Sequence, residues 1–177
     1  METLPDYLAP NLDIVFIGLN PGLRSVREGH YFASPQNRFW PAINRSGLLD
    51  PSLDSGTDHL AIHQGIGFTD VVKRPTSGAS DLRAADFRRW APVLTQKLLK
   101  HQPMIACFHG VTAFRNYLKY ADGENAVSEL GVQERKIGES VVFVIPNPSP
   151  RNARYTLDDL IGWYSKLKQY VEGLKAS

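Results

Sequence analysis

The stretch from Ile14 to Trp40, IVFIGLNPGLRSVREGHYFASPQNRFW, constrains the fold more than any other part of the chain. Ile14, Val15, Phe16 and Ile17 form a short β-branched and aromatic run of the kind that becomes a buried strand. The run stops at Gly18-Leu19-Asn20-Pro21-Gly22, where two glycines and a proline impose a tight turn and leave little side chain to obstruct a ligand. In open α/β sheets ligands bind just beyond the carboxyl ends of strands, where this turn falls. An amide at a strand tip, then arginines, then the aromatic pair Tyr31-Phe32, suits a flat, polar, anionic ligand such as a nucleobase on a phosphodiester backbone.

The rest of the pattern agrees with an α/β chain. Strands are predicted at Asp13–Gly18, Gly67–Val71, Pro103–His109 and Val141–Pro146. Helices are predicted at Ser34–Ser46, Asp58–Gln64, Asp81–His101 with a kink or split at Pro92, Val111–Tyr120 and Thr156–Leu174. The segment Gly123 to Glu139 is polar and poorly periodic, and a loop with a hairpin-like excursion is expected there. Strands alternating with helices imply a mostly parallel sheet covered on both faces, with one rim gathering the strand-end motifs. At 177 residues a single domain over 1–177 is expected.

Composition excludes several classes. No apolar run approaches a membrane span, and METLPDYLAPNLD carries acids and a proline where a targeting peptide needs basic and apolar residues. Cys107 is the one cysteine, which rules out an internal disulfide and a four-cysteine iron–sulfur cluster and suits a reducing cytoplasm. No pair of histidines has metal-ligand spacing with nearby cysteines; His59, His63, His101 and His109 are expected at the surface or rim, and neither metal nor cofactor is expected. A net charge of +2 argues against a general polycation, but Arg24, Arg27, Arg38, Lys73, Arg74, Arg151 and Arg154 all fall in or beside the motif segments. Gathered on one face, they would contact phosphates.

GLNPG followed by YFASPQNRFW, then FTDVVKRPT at Phe68–Thr76, then PNPS at Pro146–Ser149, resembles the motif set of the mismatch-specific uracil/thymine DNA glycosylases, a branch of the uracil-DNA glycosylase superfamily. The resemblance runs from about Leu8 to Val171. It implies a three-layer α/β/α sandwich with a short, mostly parallel central sheet. It also implies hydrolysis of the N-glycosidic bond of uracil, and of other deaminated or mismatched bases, after the base is flipped out of DNA. By that resemblance Asn20 holds the attacking water, since a carboxamide accepts a hydrogen bond yet takes up no proton at neutral pH. Without the motif, Asn20 would cap the Pro-Gly turn.

Asp70 departs from the family's usual Asn or Lys. As a carboxylate it is either a base or electrostatic stabiliser that widens the substrate range beyond G:U mismatches, or a surface acid paired with Lys73 or Arg74. Phe32 is the expected stacking platform, with Tyr31 and His30 at the entrance and Ser25 near the base's 5-position edge. Asn147 is expected near a base carbonyl oxygen. Gly18, Leu19, Pro21, Gly22, Asn37 and Ser149 complete the base-binding set. Arg24, Arg74, Ser149, Arg151 and Arg154 are the DNA-binding candidates, and Arg151 and Arg154 remain alternatives for the side chain that enters the gap left by the base. The expected partner is double-stranded DNA carrying uracil or mismatched bases, with single-stranded DNA as a further candidate, acted on by a cytoplasmic, nucleoid-associated monomer. A hypoxanthine- or xanthine-type glycosylase, or a module that binds damaged bases without cleaving them, remains open. A phosphate-loop enzyme is poorly supported, because neither G-x-x-x-x-G-K-[ST] nor G-x-G-x-x-G occurs.

Overall fold

A computed structural model describes residues 2–125 and 129–177. Five strands form one sheet in the order β2-β1-β3-β5-β4: β1 (Ile14–Gly18), β2 (Ile66–Asp70), β3 (Ile105–His109), β4 (Gly131–Ile137) and β5 (Ser140–Ile145). The first three and β5 are mutually parallel, and β4 runs antiparallel to β5 at the edge. Among the described residues five α-helices accompany them: α1 (Leu23–Glu28), α2 (Phe39–Ser46), α3 (Ala84–His101), α4 (Val111–Asp122) and α5 (Leu157–Ala176); the helix expected at Asp58–Gln64 is a 3-10 segment over Ser55–Gln64, and a short 3-10 turn spans Ala79–Asp81.

Alternation along each strand divides the core into two layers. Ile14, Phe16, Ile66, Phe68, Ile105, Cys107, Phe143 and Ile145 face α2 and α5, whereas Val15, Ile17, Ala106, Phe108, Val142 and Val144 face α3 and α4. This is the expected three-layer α/β/α arrangement. Helix coverage changes face between β1 and β3, the kind of crossover where open sheets leave a crevice at the carboxyl ends of their strands.

Several local details go beyond the expectations or differ from them. The arginine-rich segment after Gly22 is a short helix, α1, closed by Gly29 in the left-handed conformation (φ 76°). Helix α2 starts at Phe39 rather than Ser34. A start at Ser34 would place Pro41 where its missing N–H must bond the Asn37 carbonyl, whereas from Phe39 it falls harmlessly in the first turn. Helix α3 runs through Pro92 as one element; the proline and the Arg88 residue whose carbonyl it leaves unpaired are both exposed, so water can satisfy that group. In the stretch expected to be a loop with a hairpin-like excursion, strand β4 forms one arm of an antiparallel hairpin with β5, while residues 126–128 of that stretch lie outside those described. Its charged Glu134-Arg135-Lys136 run hides a strand signal yet suits an exposed sheet edge.

The N-terminal arm is bound to the sheet. Tyr7 and Phe68 exchange two backbone hydrogen bonds of 2.9 Å beside β2. The arm passes so close that a Cβ on Gly67 would lie 2.3 Å from the Tyr7 carbonyl oxygen, so only glycine fits there. Asp6 is thereby delivered to the end of β2.

Candidate active site

The carboxyl ends of β1, β2, β3 and β5 open into one cleft of about 1060 Å³. The amide of Asn20, the ring of Phe32 and the loop after Asn147 all line it. Of the other expected base-site residues, Gly18, Leu19, Pro21, Gly22, Ser25, Asn37, Asp70 and Ser149 line it as well.

Two amides in this cleft are pinned in opposite senses. Thr76 Oγ1 donates to the Gly78 carbonyl at 2.8 Å, so toward Asn20 it can only accept. Asn20 Nδ2 accordingly donates to Thr76 Oγ1 at 2.8 Å and to the Arg74 carbonyl at 2.9 Å. Both N–H bonds are used, and the amide's remaining group is the acceptor Oδ1. Asn147 is the converse. Its Oδ1 accepts from Ser149 N at 2.9 Å in a local turn, which leaves the Nδ2 donors available. Asn37 resembles Asn147, with Oδ1 accepting from Phe39 N at 2.9 Å at the start of α2. The turn-forming and ligand-binding readings of Asn147 are therefore compatible, because the turn fixes which end of the amide stays free.

Phe32 stacks on Phe39 with ring centroids 4.1 Å apart, and its half-buried ring borders the cleft. Its φ of 53° is in the left-handed region that side chains avoid, a strain of about 1–3 kcal/mol that marks backbone held by its surroundings. Tyr31 is buried rather than set at an entrance, stacked on Phe68 at 5.0 Å with its hydroxyl donating to the Pro5 carbonyl. His30 bonds Asp58 at 3.1 Å and does not border the cleft. Ser25 lies on α1 and accepts from Ala33 N through Oγ.

Asp70 ends β2 and is 6 % exposed, so it is a buried group and no surface acid. Its Oδ1 lies over Gly18, where an added Cβ would stand 2.8 Å away; the absence of a side chain on Gly18 admits the carboxylate to the cleft. Its Oδ2 accepts from Lys73 Nζ at 3.0 Å. Burial raises the Asp70 pKa, against the lowering effect of Lys73.

The basic residues separate by function. Arg74 forms a fork with Asp86, with Nε and Nη2 contacts of 2.7 and 2.8 Å, and only its carbonyl serves the site. Arg38 spends its guanidinium on four backbone carbonyls of the segment after β5, those of Pro148, Ser149, Asn152 and Tyr155. Lys73 is buried among carboxylates. Arg24 borders the cleft and pairs with Glu28 at 2.8 Å, an exposed contact that holds it weakly. Arg27, Arg151 and Arg154 also border the cleft, and none of the three has an ion pair among the described residues. Arg151 reaches across it, with Nη1 2.7 Å from the point a Cβ on Gly78 would occupy.

Thr76 and His109 are cleft residues that the sequence reading did not place in the site. His109, expected at the surface or rim, ends β3 at 2 % exposure and stacks on Phe16 at 5.1 Å. Its Nε2 is 3.0 Å from the Tyr164 hydroxyl, and its buried Nδ1 has no hydrogen-bond partner among the described residues. Burial lowers its pKa from 6.5 to about 3, so it is neutral near pH 7. The signal was present: CFHG ends an apolar strand on a polar residue, as FTD does at Asp70. Among the described residues no group of three or more His, Cys, Asp or Glu is placed to hold a metal ion, and no helix is long and apolar enough to cross a membrane.

A doubly covered sheet with amides, a carboxylate and an aromatic ring meeting at its strand ends defines an α/β protein built to hold a small planar ligand. Comparison with known proteins narrows this. The model of the uracil DNA glycosylase superfamily matches residues 5–171, and the chain belongs to that superfamily. It is 33 % identical over 162 residues to the G/U mismatch-specific uracil DNA glycosylase of Schizosaccharomyces pombe, covering 88 % of this chain. The chain spans about half the length of that relative, 50 %. The solution NMR structure of a candidate uracil DNA glycosylase from Methanosarcina acetivorans shares the fold, with a TM-score of 0.59 at 22 % identity over 94 % of this chain and 98 % of that one.

Proposed function

We propose that this protein is a monofunctional DNA glycosylase that removes uracil, preferentially opposite guanine, and leaves an abasic site. The observation that carries this reading is the opposed pinning of Asn20 and Asn147 on one cleft beside the ring of Phe32. Cleaving C1′–N1 develops positive charge on the sugar and negative charge on the base. The base stacks on Phe32, and the Nδ2 donors of Asn147, supplemented by those of Asn37, stabilise its carbonyl oxygen as the bond electrons pass to N1. Asn20 Oδ1 accepts from the water that adds to C1′. Asp70 takes that water's proton or, while ionised, stabilises the cationic sugar. Free base and an abasic sugar result, with no lysine nucleophile required.

Arg27, Arg151 and Arg154 are the phosphate-contacting or gap-filling groups in this reading, because they border the cleft and have no ion pair among the described residues. The protein acts as a single-domain monomer on double-stranded DNA, and on single-stranded DNA when Asp70 supplies enough acceleration. Flipping costs least at a mismatch, which by itself favours G:U sites over U:A.

The test is alkali treatment of labelled duplexes carrying U:G, U:A, T:G or hypoxanthine after incubation with the protein. Breakage at U:G is the expected result. Breakage confined to hypoxanthine would reassign the substrate, and no breakage with tight binding would reduce the protein to a damaged-base binding module.

A further inference from the structure

Four charged side chains of alternating sign connect the surface of α3 to the cleft. Lys97 Nζ lies 2.6 Å from Asp6 Oδ2, Asp6 Oδ1 lies 2.9 Å from Lys73 Nζ, and Lys73 Nζ lies 3.0 Å from Asp70 Oδ2. Thr69 Oγ1 donates to Asp6 Oδ1 at 2.7 Å, and the Tyr31 hydroxyl is 3.5 Å from Lys73 Nζ. Lys73 is 4 % exposed and does not border the cleft, so it has no route to substrate; only the Asp70 end of the chain does.

A lysine this deep is costly unless its charge is matched, and here two carboxylates match it. Removing one partner from such a set leaves an uncompensated buried charge, which the site relieves by taking up a proton. Without Lys73, the group to take up that proton is Asp70. It is the more buried carboxylate, and Asp6 keeps Lys97.

We propose that Lys73 is a positioning residue for Asp70, fixing its carboxylate over Gly18 in the ionised form, and that Asp6 of the N-terminal arm in turn limits how tightly Lys73 binds it. This deepens, and rests on, the reading of Asp70 as a participant in excision. Lys73 thereby makes the activity depend on the docked arm, since Asp6 is held at the site by the Tyr7–Phe68 pairing and the Tyr31–Pro5 hydrogen bond.

The groups that bear on Asp70 are Lys73 from the segment after β2, Asp6 from the arm, Lys97 from α3 and Tyr31 from the segment after α1. Burial keeps Tyr31 neutral far into the alkaline range. The experiment is the pH dependence of single-turnover uracil excision by the full chain for wild type, Lys73→Met, Asp6→Asn and Asp70→Asn. Loss of the cation should move the acid limb of Lys73→Met upward by about one unit or more, with activity returning at alkaline pH. Loss of the competing anion should move the limb of Asp6→Asn downward, because Lys73 then serves Asp70 alone. Opposite shifts support the assignment, and loosened packing would not produce them. A folded Lys73→Met with an unmoved limb overturns it, as do shifts of both variants in one direction. Where Lys73→Met fails to fold, Asp6→Asn decides: a limb that moves down supports the assignment and one that does not overturns it. Full activity in Asp70→Asn would instead remove the underlying reading of Asp70.

Discussion

Thr76 Oγ1 and Asn20 Nδ2 are 2.8 Å apart, and because the threonine proton is already committed to Gly78, this contact joins the Arg74 carbonyl in holding the Nδ2 end of the amide and leaves Oδ1 as the open acceptor. In Thr76→Val the amide keeps the Arg74 carbonyl but loses the second of its two acceptors, and a net hydrogen bond of about 1 kcal/mol corresponds to a roughly fivefold to tenfold slower excision step. Thr76→Ser, which keeps the hydroxyl, should restore the rate. Single-turnover assays on U:G duplexes measure both, and binding should change little.

Asn147→Asp separates the two functions of Asn147. The carboxylate can still accept from Ser149 N and keep the turn, but it presents negative charge where the departing base develops its own. Losing one donor at such a position costs about 2.7–4 kcal/mol, so a rate loss of at least 100-fold is expected with thermal stability near wild type. A slow variant that also melts early would show that the turn had failed.

Arg38→Lys tests the segment after β5. A lysine lacks the planar fork that reaches four carbonyls, so the loop bearing Arg151 and Arg154 should lose its fixed shape. The expected outcome is weaker binding to duplex DNA, faster proteolysis within residues 148–155, and a smaller effect on single-stranded substrate. Equal losses on both substrates would speak against a loop-specific effect.

Asp70→Asn should lose far more activity on U:A than on U:G, since extrusion from a stable pair leaves less margin for a slower chemical step. Parallel rate measurements on the two duplexes check this. Equal and small losses would return Asp70 to a purely structural part.

His109 also makes a prediction for stability. Its folded pKa, about 3, lies below the ordinary value of 6.5, so the unfolded chain binds the proton first as pH falls. The stability associated with its neutral form is complete above 6.5 and is lost progressively down to about 3. In His109→Gln this part of the acid destabilisation should disappear, and denaturant titrations through that window should fall less steeply than in wild type.

Much of the site was legible as chemistry at strand ends. Gly18–Gly22, Asp70 and Asn147 follow apolar runs, and turns built from glycine, proline and asparagine announce themselves locally. The edge strand β4 was not legible, because charges on its open side mask the period. His109 was missed because one polar residue after an apolar run fits either a rim or a core, and only its neighbours decide. The arginines shared one failure: proximity to a motif said nothing about whether the charge was already paired, as it is for Arg74 with Asp86.

The order of residues along the chain was enough to determine the alternation of strands and helices, the superfamily and which amides reach the rim, because each depends on periodicity or on a turn spanning a few neighbours. Tertiary structure alone decided which end of the Asn20 amide is free and that Asp6 joins Asp70 in holding Lys73. Thr76 is 56 positions from Asn20 and Asp6 is 67 before Lys73, so those contacts exist only after distant segments have packed. Hydrogen-bond polarity and charge compensation are properties of neighbours in space, and the linear order does not name those neighbours.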